Sequence, residues 1–277
     1  MERKDGRHPA QLRWVKATKD YLNNPISSVL IEFGRTRVLC AVSVDPKIPG
    51  WMRAQKVSGG WLTCEYGMLP ASTHDRVRRE ASSGKQGGRT VEIQRLIGRC
   101  LRSVIDLEKL GQNTIYIDCD VLDADGGTRC AGITGASLAL QLAFRSPQWQ
   151  RMFGGINPMR EAIAGVSVGI VDGEPMLDLC YEEDSRAEVD CNVIMTESGK
   201  FIEIQGTAER EPFSREQLDQ MLALADSGIK RIFDIQKSII YGSDHKPRVN
   251  SNKNGNGGGR PNRDMNSLAD AFSGIKI

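Results

Sequence analysis

The sequence predicts an α+β fold made of a duplicated unit in which hairpins precede helices. Three observations predict it. Paired β-rich runs separated by tight turns open each half of the chain, helical periodicity closes each half, and the regular strand–helix–strand alternation of a doubly wound parallel sheet is missing.

Residues 29–33 and 37–44 are β-rich runs on either side of Gly34-Arg35-Thr36, a hairpin signature. Residues 45–89, rich in Pro, Gly, Ser and Arg, read as loop. From 90 to 107 the period becomes helical, with Ile93, Leu96, Ile97, Leu101, Val104 and Ile105 on one stripe. Residues 114–122 alternate as a strand and run into Asp123-Ala124-Asp125-Gly126-Gly127, after which a helix is expected over 128–142. The second half repeats the grammar. Residues 163–171 and 175–179 flank Asp172-Gly173, a type I′ hairpin pair, and 189–196 and 201–207 flank a second turn. Two helices are expected next, 214–225 with Ser214 and Gln217 as a capping box, and 227–240. Residues 1–245 are read as the folded domain and 246–277 as a disordered Asn/Gly/Arg-rich tail, with little to bury.

Of 277 residues, 37 are Lys or Arg and 35 Asp or Glu, a net charge of +2 that excludes a histone-like polycation. Seven scattered cysteines without a CxxC pair argue against a disulfide scaffold or a zinc ribbon and for reduced thiols. The first residues lack the apolar segment of a signal peptide, and the longest apolar run, 131–144, is too short to cross a bilayer. A cytoplasmic protein without membrane contact is therefore expected.

The neutral sum hides two opposed blocks. Residues 75–102 carry +5, with Arg76, Arg78, Arg79, Lys85, Arg89, Arg95, Arg99 and Arg102 against three acids; residues 172–190 carry −7. One reading is two solvated faces that partner each other. The other is phosphoryl chemistry on an anionic polymer, because the basic block is arginine-heavy and interrupted by glycine, which suits bidentate phosphate contacts, and the acidic block offers Asp184 and Asp190 around a turn. Arg95 and Arg99, on the face opposite the apolar stripe, join the candidate contacts to that polymer. Gly126-Gly127-Thr128-Arg129 stands between a strand and a helix, where such a pair forms either an ordinary turn or an anion cradle at the helix start. No Walker loop occurs, and Gly165-Val166-Ser167-Val168-Gly169 lies within a strand instead of on a strand-to-helix elbow, so a serine hydrolase is not expected. With three histidines in all, any metal should be a hard cation on carboxylates, Mg²⁺ first.

These residues also spell a resemblance. GKQGGRT at 84–90 followed by EIQRLIGR at 92–99, DCDVLDADGGTR at 118–129, EYGMLP at 65–70, EDS at 183–185 and EIQGTAE at 203–209 make the chain similar to ribonuclease PH over residues 3–241. The resemblance implies the ribosomal S5 domain 2-like fold and a phosphorolytic 3′→5′ exoribonuclease that trims tRNA precursors, transferring terminal nucleotides to inorganic phosphate. It further implies Mg²⁺ and a homo-hexameric ring, a trimer of dimers. By motif, Arg89, Gly127, Thr128 and Arg129 match the phosphate-binding positions, Asp184 and Asp190 the catalytic and metal-associated carboxylates, and Arg76 and Arg79 the RNA-contacting loop. Whether Asp184 is general acid or metal ligand stays open, since a metal-bound carboxylate is held ionised. Two departures stand out: Ala71 replaces a frequent arginine, and Arg186 intrudes on the carboxylate turn, where Glu183 or an RNA phosphate is its expected partner. The rival readings are a ring subunit without catalysis, a small-molecule kinase and an archaeal-type exosome catalytic subunit.

Overall fold

The computed structural model describes residues 3–242, one unit folded around two sheets. The expectation of a disordered tail at 246–277 lies outside the described residues. The first sheet has the order β1-β2-β3-β5-β4 and the second β7-β6-β8-β9. In the first, β1 (Val15–Lys19), β2 (Ser27–Phe33) and β3 (Thr36–Asp45) form an antiparallel meander. Then β5 (Thr114–Asp123) joins β3 antiparallel, and β4 (Trp61–Met68) runs parallel to β5 at the edge. The second sheet is wholly antiparallel: β6 (Ile163–Val171), β7 (Glu174–Leu177), β8 (Val189–Thr196) and β9 (Phe201–Ala208). The turn between β6 and β7 places Asp172 and Gly173 both at positive φ, as a type I′ turn requires.

Helices fill the space between. Short α1 (Gly50–Ala54) precedes β4, and α2 (Gly88–Val104) buries Ile93, Leu96, Ile97, Leu101 and Val104 against the β4 edge. α3 (Thr128–Ala143) contacts β2 and β3 of one sheet and β6 of the other, and is therefore buried on nearly every side. Its small residues permit this: a Cβ on Gly135 would stand 2.7 Å from Cys40 Sγ. Its hydroxyls meet the sheets as hydrogen-bonding groups, Thr134 Oγ1 accepting from the Gly165 amide at 3.0 Å and Ser137 Oγ from the Ile163 amide at 3.1 Å. Then come α4 (Pro147–Phe153), the single turn α5 (Tyr181–Asp184) and α6 (Arg215–Tyr241), whose capping box is formed by Ser214 and Gln217.

The structure corrects several expectations. The presumed loop 45–89 contains α1 and the strand β4, whose Leu62, Cys64 and Tyr66 alternate into the core. Strand β1 was not foreseen. α2 starts at Gly88 and ends at Val104, because Ile105 leaves the helix to bridge Met159. The two expected C-terminal helices are one, α6. Asp226, read as a break, instead pairs with Lys230 one turn on at 2.6 Å, while Met221, Ala225, Ile229, Ile232 and Phe233 keep one stripe buried throughout.

Candidate active site

Four chain segments meet around a cavity of about 410 Å³. The loop after β5 supplies Gly126 and Gly127, the start of α3 supplies Thr128 and Arg129, the first turn of α2 supplies Arg89, and the second sheet with α5 supplies Asp184 and Asp190.

The Gly126-Gly127 corner is fixed by sterics. Both residues have positive φ, and a Cβ on Gly126 would lie 2.5 Å from the Leu179 carbonyl oxygen. The chain thus turns sharply and hands its first helical amides, which have no intrahelical acceptors, to the cavity side of α3. Arg13, buried, braces the corner by donating to the Asp125 carbonyl and pairing with Asp178 at 2.7 Å. Tyr66 on β4 donates to Thr128 Oγ1 at 3.1 Å and fixes that side chain.

Arg129 extends from the first turn of α3 to Glu92 on α2 at 2.9 Å, and Glu92 also accepts from Gln205 at 3.4 Å. Burial works to raise the Glu92 carboxyl, but the hydrogen bond and charge of Arg129 outweigh it and hold the group below its ordinary value. Arg129 Nε is buried without a hydrogen-bond partner among the described residues. A guanidinium N–H left so in a cavity wall is suited to an anion. The start of α2 at Gly87 carries no side-chain cap; the loop before Arg89 is held by Glu80, which accepts from the Gly87 amide at 3.0 Å and the Thr90 hydroxyl at 2.7 Å.

Two carboxylates line the same cavity. Asp184 ends α5, and its turn is anchored through Glu183, which Arg3 engages with two hydrogen bonds of 2.7 and 2.6 Å in the interior. Burial raises the Asp184 carboxyl, opposed by Arg89, Arg129 and Arg13. Asp190, near the start of β8, is pushed up to about 6 by burial first and then by the Asp184 charge, with Arg129 and Arg89 pulling the other way. Two carboxylates feeling each other and the same two guanidiniums form one electrostatic unit. A half-buried pair of this kind, with raised proton affinity and open to a cavity, is a donor set suited to a hard divalent cation completed by water and substrate oxygens. No cluster of three or more His, Cys, Asp or Glu residues of metal-binding kind occurs among the described residues.

The remaining expected residues are placed elsewhere. Arg76 is exposed between Asp75 and Val77, which line the cavity while it does not. Arg79 lines a neighbouring hollow with Lys85. Arg95 and Arg99 lie on the exposed face of α2, away from the cavity, and Arg99 is bound by Glu203 at 2.8 Å. Arg186 pairs with Asp172 at 2.9 Å and not with Glu183, which Arg3 already occupies. Met68, His74, Ser167, Tyr181 and Asn192 are among the lining residues that the sequence alone does not place in the cavity. The Ser167 hydroxyl accepts from the Leu179 amide at 3.1 Å and carries no nucleophile elbow.

Among the described residues no helix is long and apolar enough to cross a membrane. Residues 11–145 match the 3′ exoribonuclease family, domain 1, and residues 161–228 match domain 2 of the same family. Solved structures share the fold at 20% sequence identity. A rice (Oryza sativa) Rrp46 structure superposes with a TM-score of 0.69 over 86% of this chain and 100% of that one. An Archaeoglobus fulgidus exosome with RNA bound to the active site gives 0.70 over 84% and 92%, and an archaeal exosome core 0.67 over 85% and 91%.

Proposed function

This chain belongs to the 3′ exoribonuclease family, and from that premise we propose that it is a phosphorolytic enzyme, moving the 3′-terminal nucleotide of RNA onto inorganic phosphate. The observation that carries the reading is that one cavity is lined both by Arg89, Arg129 and the start of α3 and by the carboxylates Asp184 and Asp190.

Inorganic phosphate is held by Arg89, by Arg129 and by the amides at the start of α3, the unpartnered Arg129 Nε supplying one donor. So fixed, a phosphate oxygen attacks the terminal phosphodiester in line. A new P–O bond forms, the P–O3′ bond breaks, the leaving 3′-oxygen gains a proton, and a nucleoside diphosphate departs. The same guanidiniums and amides stabilise the charge that grows on the equatorial oxygens. Asp184 and Asp190 are the residues that would hold Mg²⁺, which would supply neutralisation of the charge that builds up as the bond breaks. The exposed Arg76, Arg78 and Arg79 lie on the chain that leads into the cavity wall, where they would meet the phosphates of a structured RNA body.

The finer part of the proposal is that the RNA is a tRNA precursor and that six identical chains assemble as a ring acting in the cytoplasm; it is supported by the resemblance in the motifs. The reaction runs in both directions, which gives the test. Incubated with an RNA primer, Mg²⁺ and a nucleoside diphosphate, the protein extends the primer and liberates inorganic phosphate, and Arg129→Ala does neither. Extension from a triphosphate instead, with pyrophosphate released, would contradict the proposal.

A further inference from the structure

Beside the catalytic cavity lies a second concavity of about 370 Å³, walled by Arg35, Arg37, Ser72, His74, Asp123 and Tyr181 among others. The two have Thr73, His74, Ala124 and Tyr181 in common, so one continues into the other.

Three features suit this second hollow to a nucleotide. Tyr181 opens α5, three residues before Asp184, so both side chains leave the same side of that turn, yet the tyrosine is 53% exposed. An aromatic ring standing open in a groove wall is a stacking platform for a flat partner. Ser72 is 5% exposed, and its Oγ has no hydrogen-bond partner among the described residues. A buried hydroxyl left unpaired in a cavity wall is suited to a polar ligand group. Arg35, exposed at the tip of the β2–β3 hairpin, adds a positive charge at the rim, next to Arg37, which Asp123 already holds.

We propose that this concavity is a subsite for the second nucleotide from the RNA 3′ end, whose base stacks on Tyr181, whose ribose hydroxyls meet Ser72 Oγ and whose phosphate meets Arg35. The assignment rests on the phosphorolysis reading for its direction. With the scissile phosphodiester beside Arg129 and Asp184, the terminal nucleoside lies against the apolar walls of that cavity, Met68 and Val77, and the strand leaves through the adjoining hollow. Stacking on an aromatic ring tolerates any base, as an exonuclease that degrades step by step requires.

The test compares wild type with Tyr181→Ala, Tyr181→Phe and Ser72→Ala, whose folding is checked by thermal unfolding. Forward phosphorolysis of a short unstructured oligoribonucleotide, reverse extension with a nucleoside diphosphate, and binding of a 5′-labelled oligoribonucleotide by fluorescence anisotropy are measured. Tyr181→Ala should weaken oligoribonucleotide binding and raise its KM by about 10- to 100-fold, the range of one lost base stack. Tyr181→Phe should bind as wild type, and Ser72→Ala should weaken binding without affecting the KM for inorganic phosphate. Unchanged binding in Tyr181→Ala would overturn the subsite. So would a matching rise in the nucleoside diphosphate KM, which would put the terminal nucleotide there instead. If wild type releases no diphosphate, the phosphorolysis reading fails, while the anisotropy comparison still decides whether Tyr181 holds RNA.

Discussion

Asp190→Asn should make the protein more stable at neutral pH while stopping turnover. Burial and the adjacent Asp184 push the Asp190 carboxyl from an ordinary 3.8 to about 6. The folded protein therefore binds this proton more readily than the unfolded chain does. Between pH 4 and 6 the folded state carries more protons, so stability falls as pH rises, and above 6 the full penalty is in force. Roughly two pH units at ~1.4 kcal/mol each make that penalty about 3 kcal/mol at pH 8, shrinking to about 0.5 kcal/mol at pH 4. Asparagine cannot ionise and escapes it. Urea unfolding in the presence of a chelator should show the variant gaining up to about 3 kcal/mol at pH 8 and almost nothing at pH 4. The same variant should release no nucleotides. An equal gain at both pH values, or a loss of stability at pH 8, would refute the argument that an electrostatically strained carboxylate pair is held in place for chemistry.

Other outcomes follow from the same geometry. Arg129→Ala should lower phosphate-dependent nucleotide release by at least about 100-fold, and Arg129→Lys should recover little, because an ammonium lacks the two-pronged donor geometry; phosphate titrations of the rate check this. Arg3→Ala leaves the buried Glu183 with only the Cys180 amide at 3.0 Å and Arg7 at 3.5 Å, so unfolding free energy should drop by about 1–3 kcal/mol, with part regained in the Arg3→Ala/Glu183→Gln double variant. Gly126→Ala forces a side chain into positive φ and against the Leu179 carbonyl, which should cost about 1–3 kcal/mol in the urea midpoint analysis and impair turnover as the α3 amides shift.

Where the local pattern matched the final environment, the sequence was easy to read. β6, β8 and β9 are two-sided or alternating runs closed by turn residues, and their bounds emerge almost unchanged. α3 was legible through its apolar run and the glycine pair before it. β4 was hidden because its partner β5 lies about fifty residues away and its flanks are Gly-rich, so nothing local announces a parallel edge strand. The sequence divides the last helix at Asp226, and only packing of one continuous stripe on the second sheet shows that the helix runs through it.

The site divides the same way. Arg89, Arg129, Asp184 and Asp190 sit in compact motifs and line one cavity. The groups that tune and brace them are remote in sequence. Glu92 reaches Arg129 across two helices, Arg13 and Arg3 come from an N-terminal segment without distinctive composition, and Tyr181 joins the cavity only because α5 folds its turn over it. Arg99 shows the converse: its charge is plain in the sequence, but Glu203 on β9 already answers it.

The most direct test of the central claim is the identity of the nucleotides released from a 3′-extended RNA in the presence of Mg²⁺, with and without inorganic phosphate. The cradle formed by Arg89, Arg129 and the α3 amides predicts nucleoside diphosphates that appear only when phosphate is present. Nucleoside monophosphates released equally well in its absence would mean that water is the nucleophile, and would contradict the phosphate site on which the account rests.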